Sequence, residues 1–187
     1  IPTSPHRLFQ SLSELQNAIT QHELMLPFVW KRCSGGYDGN GVSVIRNADD
    51  ITSLPDTPCI AEHFVPFKNE LAVIVARNFS GEVKTYPVVE MEFHPEANQV
   101  EYVLSPARIS KSIAEKAKKV ALSASKAFKH VGLLAVELFL TKEGEILVNE
   151  VAPRPHNSGH YSIEASYTSQ FEQHIRAIMN LPLGRTE

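Results

Sequence analysis

Residues 134–151 read LAVELFLTKEGEILVNEV, and they decide the fold because two apolar runs, each holding one acid, flank a glycine turn. This pattern predicts a β-hairpin with Glu143-Gly144 at its tip. A two-residue loop would place Glu137 directly opposite Glu150, and so would a four-residue loop. A three-residue loop would break that pairing. The register of this hairpin therefore decides whether the two acids meet.

Glu137 and Glu150, once paired, would lie on one face of the sheet with their Cβ atoms ~5 Å apart. Like charges at that distance destabilise a sheet unless they share a proton or a cation. Carboxylate oxygens suit Mg²⁺, which is usually held by one or two carboxylates together with substrate phosphates. The alternative is a pair of solvated glutamates on an outer face. The apolar residues around both acids favour the metal site.

The composition predicts a globular chain without a strongly charged surface. The chain has 187 residues, of which 43% are hydrophobic, and a formal net charge of −3. Because no run of five like charges occurs, the sequence indicates neither nucleic-acid binding nor a basic membrane surface. The longest apolar runs, 71–76 and 131–136, are far shorter than the ~20 residues of a membrane span. We therefore expect a cytoplasmic protein, with Cys33 and Cys59 as free thiols.

Serines that precede a glutamate by three residues predict the starts of three helices. The helices are expected at 12–20 after Ser11, from Ser112 onward, and at 171–180 after Ser169. In the third helix, the apolar residues Phe171, Ile175 and Ile178 are expected in the core.

Apolar runs bounded by turn residues predict the strands. They are expected at 26–31, 41–45, 59–64, 70–77, 83–89, 100–104, 133–140 and 146–151. Strands with segregated helices indicate an α+β fold, and we expect two sublobes with a cleft between them.

A glycine-rich turn, SGGYDGNG at 34–41, separates the first two predicted strands. Its glycines would let backbone N–H groups approach an anion, and Lys31 at the strand end could reach phosphate oxygens. The pattern is not that of a P-loop, so the turn is either a phosphate-covering hairpin or a plain glycine-rich turn. Tyr37 and Asp38 favour the phosphate-covering hairpin.

Four segments together resemble the ATP-grasp enzymes. They are GGYDGNG at 35–41, EHFVPFKNELAVIVAR at 62–77, VELF at 136–139 and NEVAPRPHNSGHYSIEASYTSQFEQH at 149–174. The last segment is the most specific, and it resembles the 5-(carboxyamino)imidazole ribonucleotide synthases, the ATPase subunits of phosphoribosylaminoimidazole carboxylase.

This resemblance implies an ATP-grasp fold with a smaller sublobe at 1–65 and a larger one at 66–187. It implies a ligase of de novo purine (IMP) biosynthesis that uses ATP and bicarbonate to carboxylate aminoimidazole ribonucleotide through carboxyphosphate. Mg²⁺ is the expected metal, with Mn²⁺ as an alternative, and a homodimer is the expected assembly.

The resemblance also assigns residues to roles. Nucleotide-binding residues would be Lys31, Gly35, Gly36, Glu62, His63, Phe64, Val65 and Glu70. Among them, 62–65 would form the hinge that contacts adenine through backbone groups, and Glu70 would hold the ribose hydroxyls. Glu137 and Glu150 would hold the metal. Tyr37 and Asp38 would contact the imidazole ribonucleotide, while Arg154, His156 and Asn157 would surround the bicarbonate-derived group.

The chemistry of a carboxyphosphate explains the crowding of polar residues after residue 149. Such an intermediate is densely anionic and hydrolyses readily, so it needs fixed donors and shelter from water. Arg154 offers a planar fork for its oxygens, and the flanking Pro153 and Pro155 restrict the backbone. His156 would either shuttle a proton or donate to the carboxyl group. A zinc site at His156 and His160 is disfavoured because the intervening residues do not form a helix.

Two departures from the family pattern leave alternatives open. Asn40 and Val42 stand where lysine and glutamine are common. Moreover, Ile1-Pro2-Thr3 resembles the middle of a family member, so we expect a central piece that binds Mg-ATP weakly and turns over poorly. The alternatives are another ATP-grasp carboxylase or ligase, such as a biotin carboxylase or a formate-dependent purine enzyme, and a nucleotide-binding module without catalysis.

Overall fold

The computed structural model describes residues 1–36, 40–93 and 100–187. These residues form two compact units, one of Ser4–Val65 and the other of Ile1–Thr3 with Pro66–Glu187. Antiparallel sheets and helices make up both units, so the α+β prediction is confirmed.

The smaller unit is a four-stranded antiparallel sheet with one α-helix. Its elements are β1 (His6–Phe9), α1 (Leu12–Thr20), β2 (Phe28–Arg32), β3 (Val42–Ile45), a 3-10 turn (Asp49–Ser53) and β4 (Cys59–His63). The strands lie in the order β1, β4, β2, β3. Fully buried Phe9, Leu15 and Phe28 form the centre of its core.

The larger unit contains a six-stranded sheet and three helices. The strands are β5 (Phe67–Arg77), β6 (Val83–Thr85), β7 (Val89–Phe93), β8 (Val100–Leu104), β9 (Gly132–Thr141) and β10 (Ile146–Ala152). The helices are α2 (Lys111–Phe128), α3 (Ser162–Ala165) and α4 (Gln170–Ile178), and a 3-10 turn covers Asn157–Gly159. Strands β10, β9, β5, β7 and β8 lie in that order, and β6 pairs with β5.

Alternation along β5 gives the larger sheet two different faces. Leu71, Val73 and Val75 point to one face, where they pack with buried alanines of α2. Ala72 and Ile74 point to the other face, toward the segment that follows β10. Both faces are covered, which explains why β5 reads as a continuous apolar run.

The helix predictions are confirmed in position, but one cap is wrong. The hydroxyls of Ser11 and Ser169 accept backbone N–H groups of Glu14 and Glu172, as predicted. In α2, Ser110 is the N-cap instead of Ser112, and its hydroxyl accepts the N–H of Ile113 at 3.3 Å. The extended backbone of Ser110 suits a capping residue.

The predicted core face of α4 is wrong. Phe171, Ile175 and Ile178 are 43%, 50% and 42% exposed, whereas the buried residues of α4 are Gln170, Gln173 and Ala177. The buried glutamines are tolerated because their amides bond to main-chain groups, which apolar periodicity does not indicate.

The predicted strand at 83–89 is two strands, β6 and β7, separated by Tyr86 to Val88. Pro87 has no N–H to donate to a ladder, and the Tyr86 hydroxyl turns inward to donate to the carbonyl of Thr168 at 2.8 Å. Strand β1 and the end of β7 were not predicted. In the described part of the chain, no helix is long and apolar enough to cross a membrane.

Candidate functional site

The loop of the β9–β10 hairpin contains three residues, so the predicted two-residue loop is wrong. Thr141 and Glu145 close the loop, with the N–H of Thr141 donating to the carbonyl of Glu145 at 3.0 Å. Gly144 adopts φ +81°, the left-handed conformation typical of such loops. Next to the loop, Ile146 therefore pairs with Leu140.

A register shift further along the same hairpin restores the predicted pair of acids. The ladder shifts by one residue between Val148 and Glu150, and beyond the shift Glu150 pairs directly with Glu137. Such a β-bulge adds one residue to one strand. The predicted pairing of Glu137 with Glu150 is therefore confirmed, although the reason given for it is wrong.

A third acid, Glu70, shares this face of the sheet. Glu70 pairs with Phe139 across the ladder, and Ala72 pairs with Glu137, so the side chains of Glu70 and Glu137 point the same way. Burial, reinforced by the negative charges of Glu137 and Glu150, raises the pKa of Glu70 to about 7. A cation near this face would relieve that repulsion.

His156 lies against the carboxylate of Glu137. Its Nε2 is 3.1 Å from Oε1 of Glu137, and both side chains are largely buried. Its Nδ1 accepts the N–H of Ser158 at 3.3 Å and lies 3.0 Å from the Ser158 hydroxyl. Because Nδ1 accepts, a neutral ring carries its proton on Nε2 and donates it to Glu137.

Two other predicted site residues of the loop that follows β10 are more exposed to solvent than His156. Arg154 and Asn157 are exposed, and Nη1 of Arg154 donates to the carbonyl of Pro155 at 3.1 Å. The loop itself is tightly packed at Gly159, where a Cβ atom would lie 2.2 Å from Cδ1 of Ile74. The backbone therefore approaches the sheet as only glycine permits.

The remaining predicted residues belong to the smaller unit. Nζ of Lys31 lies 3.0 Å from Oε2 of Glu62, in a largely buried ion pair. Gly35 has φ +76°. In the predicted hinge of Glu62, His63, Phe64 and Val65, the Arg46 guanidinium lies 5.5 Å from the centre of the Phe64 ring. Gly36 is exposed, while Tyr37 and Asp38 lie outside the described residues.

The face of the larger sheet that carries Glu70, Glu137 and Glu150 is here called the acidic face. The sequence analysis missed several residues beside it. Phe67 stacks on Phe139 with ring centres 4.6 Å apart. A cavity of about 480 Å³ borders Phe67 and Glu70. Its wall includes Glu90, which is bonded to Asn69 and Arg108. The Arg108 guanidinium holds the pKa of Glu90 below its usual value.

The carboxylate oxygens on the acidic face are suitable ligands for a hard divalent cation that takes few ligands from the protein. Across residues 1–36, 40–93 and 100–187, no group of three or more His, Cys, Asp or Glu side chains is arranged to hold a metal. Two opposed carboxylates fit an ion such as Mg²⁺, which draws its other ligands from phosphates and water.

The sequence profile of the ATP-grasp domain matches residues 1–171, and the chain belongs to the ATP-grasp family. The chain is 46% identical over 188 residues to the N5-carboxyaminoimidazole ribonucleotide synthase of Bacillus subtilis strain 168, covering 98% of this chain and 48% of that protein. The predicted resemblance is confirmed.

Solved structures give the same result. An ADP complex of N5-carboxyaminoimidazole ribonucleotide synthetase superimposes with a TM-score of 0.90 at 45% identity, covering 100% of this chain and 50% of that one. The synthase of Aspergillus clavatus in complex with ADP and 5-aminoimidazole ribonucleotide has a TM-score of 0.87 at 36% identity, covering 98% and 48%. The chain thus spans about half the length of these relatives.

Proposed function

We propose that this chain is the ATP-grasp portion of an N5-carboxyaminoimidazole ribonucleotide synthase of de novo purine biosynthesis. In the proposed reaction, bicarbonate attacks the γ-phosphate of ATP and releases ADP and carboxyphosphate. The exocyclic amine of 5-aminoimidazole ribonucleotide then attacks the carboxyl carbon, and phosphate and a proton leave. We also propose that the protein works as a cytoplasmic homodimer.

The pairing of Glu137 with Glu150 is the observation that carries this proposal. The bulge in β10 brings the two carboxylates to one face of the sheet, beside Glu70. Three acids on one face repel each other unless a cation or a proton intervenes. We propose that Glu137 and Glu150 hold Mg²⁺, or Mn²⁺ in its place, which would neutralise negative charge on the ATP phosphates.

The loop after β10 would receive the bicarbonate-derived group. Arg154 and Asn157 are exposed and carry donors for carboxylate or phosphate oxygens. His156, in the same loop, contacts Glu137, so it would link the anion-binding groups to the metal-binding acid. Pro153 and Pro155 lower the entropy lost in ordering Arg154.

The smaller unit would contribute the nucleotide contacts other than that of Glu70, which belongs to the larger unit. Lys31, Gly35 and Gly36 would contact the phosphates, and the hinge at 62–65 would contact adenine through its backbone. Glu70 would hold the ribose hydroxyls by accepting their hydrogen bonds on its carboxyl oxygens. Tyr37 and Asp38 would contact the imidazole ribonucleotide.

Substrate-dependent ADP release tests the proposal. The native protein should release ADP with bicarbonate plus 5-aminoimidazole ribonucleotide, and not with biotin or with formate plus glycinamide ribonucleotide. ADP release that depends on biotin or formate would reassign the protein to another ATP-grasp ligase.

A second candidate, a nucleotide-binding module without turnover, is favoured by one substitution. Asn40 stands where the family loop commonly has lysine, so one positive charge over the phosphates is lost. Calorimetric titration with ATP, combined with the ADP-release assay, separates the two. Binding without ADP release would favour the module.

A further inference from the structure

Gln170, the first residue of α4, holds the main chain of His156 from both sides. Its side chain is fully buried at 0% exposure. Oε1 accepts the N–H of His156 at 2.9 Å, and Nε2 donates to the carbonyl of His156 at 2.8 Å. An amide that bonds both main-chain groups of one residue fixes the peptide planes on either side of it.

These bonds complete the hydrogen bonding of His156. Its N–H and carbonyl bond to Gln170, its Nδ1 accepts from Ser158, and its Nε2 faces Glu137. Because every polar group of His156 has a partner within the chain, the ring cannot turn away from Glu137 without breaking a buried bond.

Gln170 is itself held in place by the loop that it supports. Its N–H donates to the Ser162 hydroxyl at 2.9 Å, and that hydroxyl donates to the Gly159 carbonyl at 2.5 Å. A Cβ atom at Gly159 would lie 2.5 Å from Oε1 of Gln170. The loop therefore has room for the amide only because residue 159 is glycine.

We propose that Gln170 is a positioning residue that acts through His156 to orient the carboxylate of Glu137. The inference rests on the proposed function in one respect, that Glu137 binds Mg²⁺ with ATP. Groups that contact and orient a metal-binding side chain typically contribute 10–100-fold to metal affinity or activity. Gln170 acts one residue further away, through His156, so the expected effect lies at the low end of that range, about tenfold.

The same helix supplies a matched control in Gln173. This residue is also 0% exposed, and its amide also bonds a carbonyl and an N–H of one residue, Gly184, at 3.0 and 2.8 Å. Gln173 thereby holds the C-terminal segment and makes no bond to His156. Gln170→Met and Gln173→Met each remove one such pair of bonds, so a purely structural role predicts equal effects.

The two variants are compared in the native protein by two measurements. The first is long-range ¹H–¹⁵N NMR of the histidine rings without ligand, with the His156 signal assigned from His156→Gln. The second is calorimetric ATP affinity with and without MgCl₂. Gln170→Met should change the tautomer pattern of His156 and lower the Mg²⁺-dependent gain in ATP affinity about tenfold. Gln173→Met should leave both unchanged.

A wild-type His156 ring signal together with a wild-type Mg²⁺-dependent gain in ATP affinity in Gln170→Met would overturn the proposal. If Gln170→Met does not fold, Gln170→Asn decides, because its shorter amide remains polar but cannot span both main-chain groups. A wild-type ring signal and Mg²⁺ dependence in Gln170→Asn would likewise overturn it. The ring signal needs no turnover, so this test is independent of the ADP-release assay that tests the proposed function.

Discussion

Glu150 lies opposite Glu137 because the β9–β10 ladder shifts register by one residue between Val148 and Glu150. The three-residue loop alone would have offset the two acids by one position and turned one of them to the other sheet face. Bulges are common next to functional sites, where they re-aim a side chain. Here the bulge brings two carboxylates together at an energetic cost that a bound cation would offset.

The left-handed Gly144 is needed to close the three-residue loop, and its replacement should weaken the hairpin. Gly144→Ala forces a residue with a Cβ atom into φ +81°, which should lower the free energy of unfolding by about 1–2 kcal/mol. Gly144→Asn should lower it less, because asparagine tolerates this conformation better. Urea unfolding measures both, and an unchanged free energy of unfolding in Gly144→Ala would contradict the requirement for this φ.

Stability should fall as pH rises toward neutrality because of Glu70. Its pKa is raised from 4.5 to about 7, so the folded protein holds a proton that the unfolded chain releases. The contribution is fully present below pH 4.5 and is lost as pH rises through about 7, a difference of about 3 kcal/mol. Urea unfolding over this range, in EDTA, should show the fall.

Glu70→Gln is the control for this pH dependence. A neutral amide of similar shape cannot titrate, so the stability of the variant should vary less over the same range. The explanation fails if the wild type and Glu70→Gln show the same pH dependence.

The corrected core of α4 can also be tested by substitution. Ile175 is 50% exposed and Ala177 is 0% exposed. Ile175→Ser should therefore change the free energy of unfolding by about 0.5 kcal/mol or less, whereas Ala177→Leu should cost about 1–3 kcal/mol through overpacking. Thermal or urea unfolding of both variants gives the comparison. A larger loss for Ile175→Ser than for Ala177→Leu would restore the original interpretation of this helix.

The sequence predicted those features that depend on residues close together in the chain. The serine caps of α1 and α4 were predicted because the hydroxyl and the N–H that it accepts lie three residues apart. The acidic pair was predicted from strand alternation and a glycine turn, but with the wrong loop length, and the bulge that aligns the two acids was not predicted. The proline at 87 was an available signal that β6 and β7 are separate strands.

The features that sequence did not predict depend on distant partners. Two glutamines of α4 are buried because their amides meet His156 and Gly184, and helical periodicity assigns such polar residues to solvent. The bulge at 148–150 has no glycine or proline to mark it. The bond between His156 and Glu137 joins a loop to a strand nineteen positions earlier, and only the fold brings them together.

The most direct test of the metal-binding pair is the effect of Mg²⁺ on ATP affinity, measured by calorimetry in the native protein. We compare the wild type with Glu137→Gln, Glu150→Gln and a control, Glu143→Gln, whose exposed side chain lies in the loop of the same hairpin. Mg²⁺ should strengthen ATP binding in the wild type and in Glu143→Gln. In Glu137→Gln and Glu150→Gln this gain should shrink by more than about tenfold. Loss of a residue that only orients a metal ligand costs about tenfold, and loss of the ligand itself should cost more. If Glu137→Gln and Glu150→Gln both keep the full wild-type gain, these two acids do not hold the metal, and the account is contradicted.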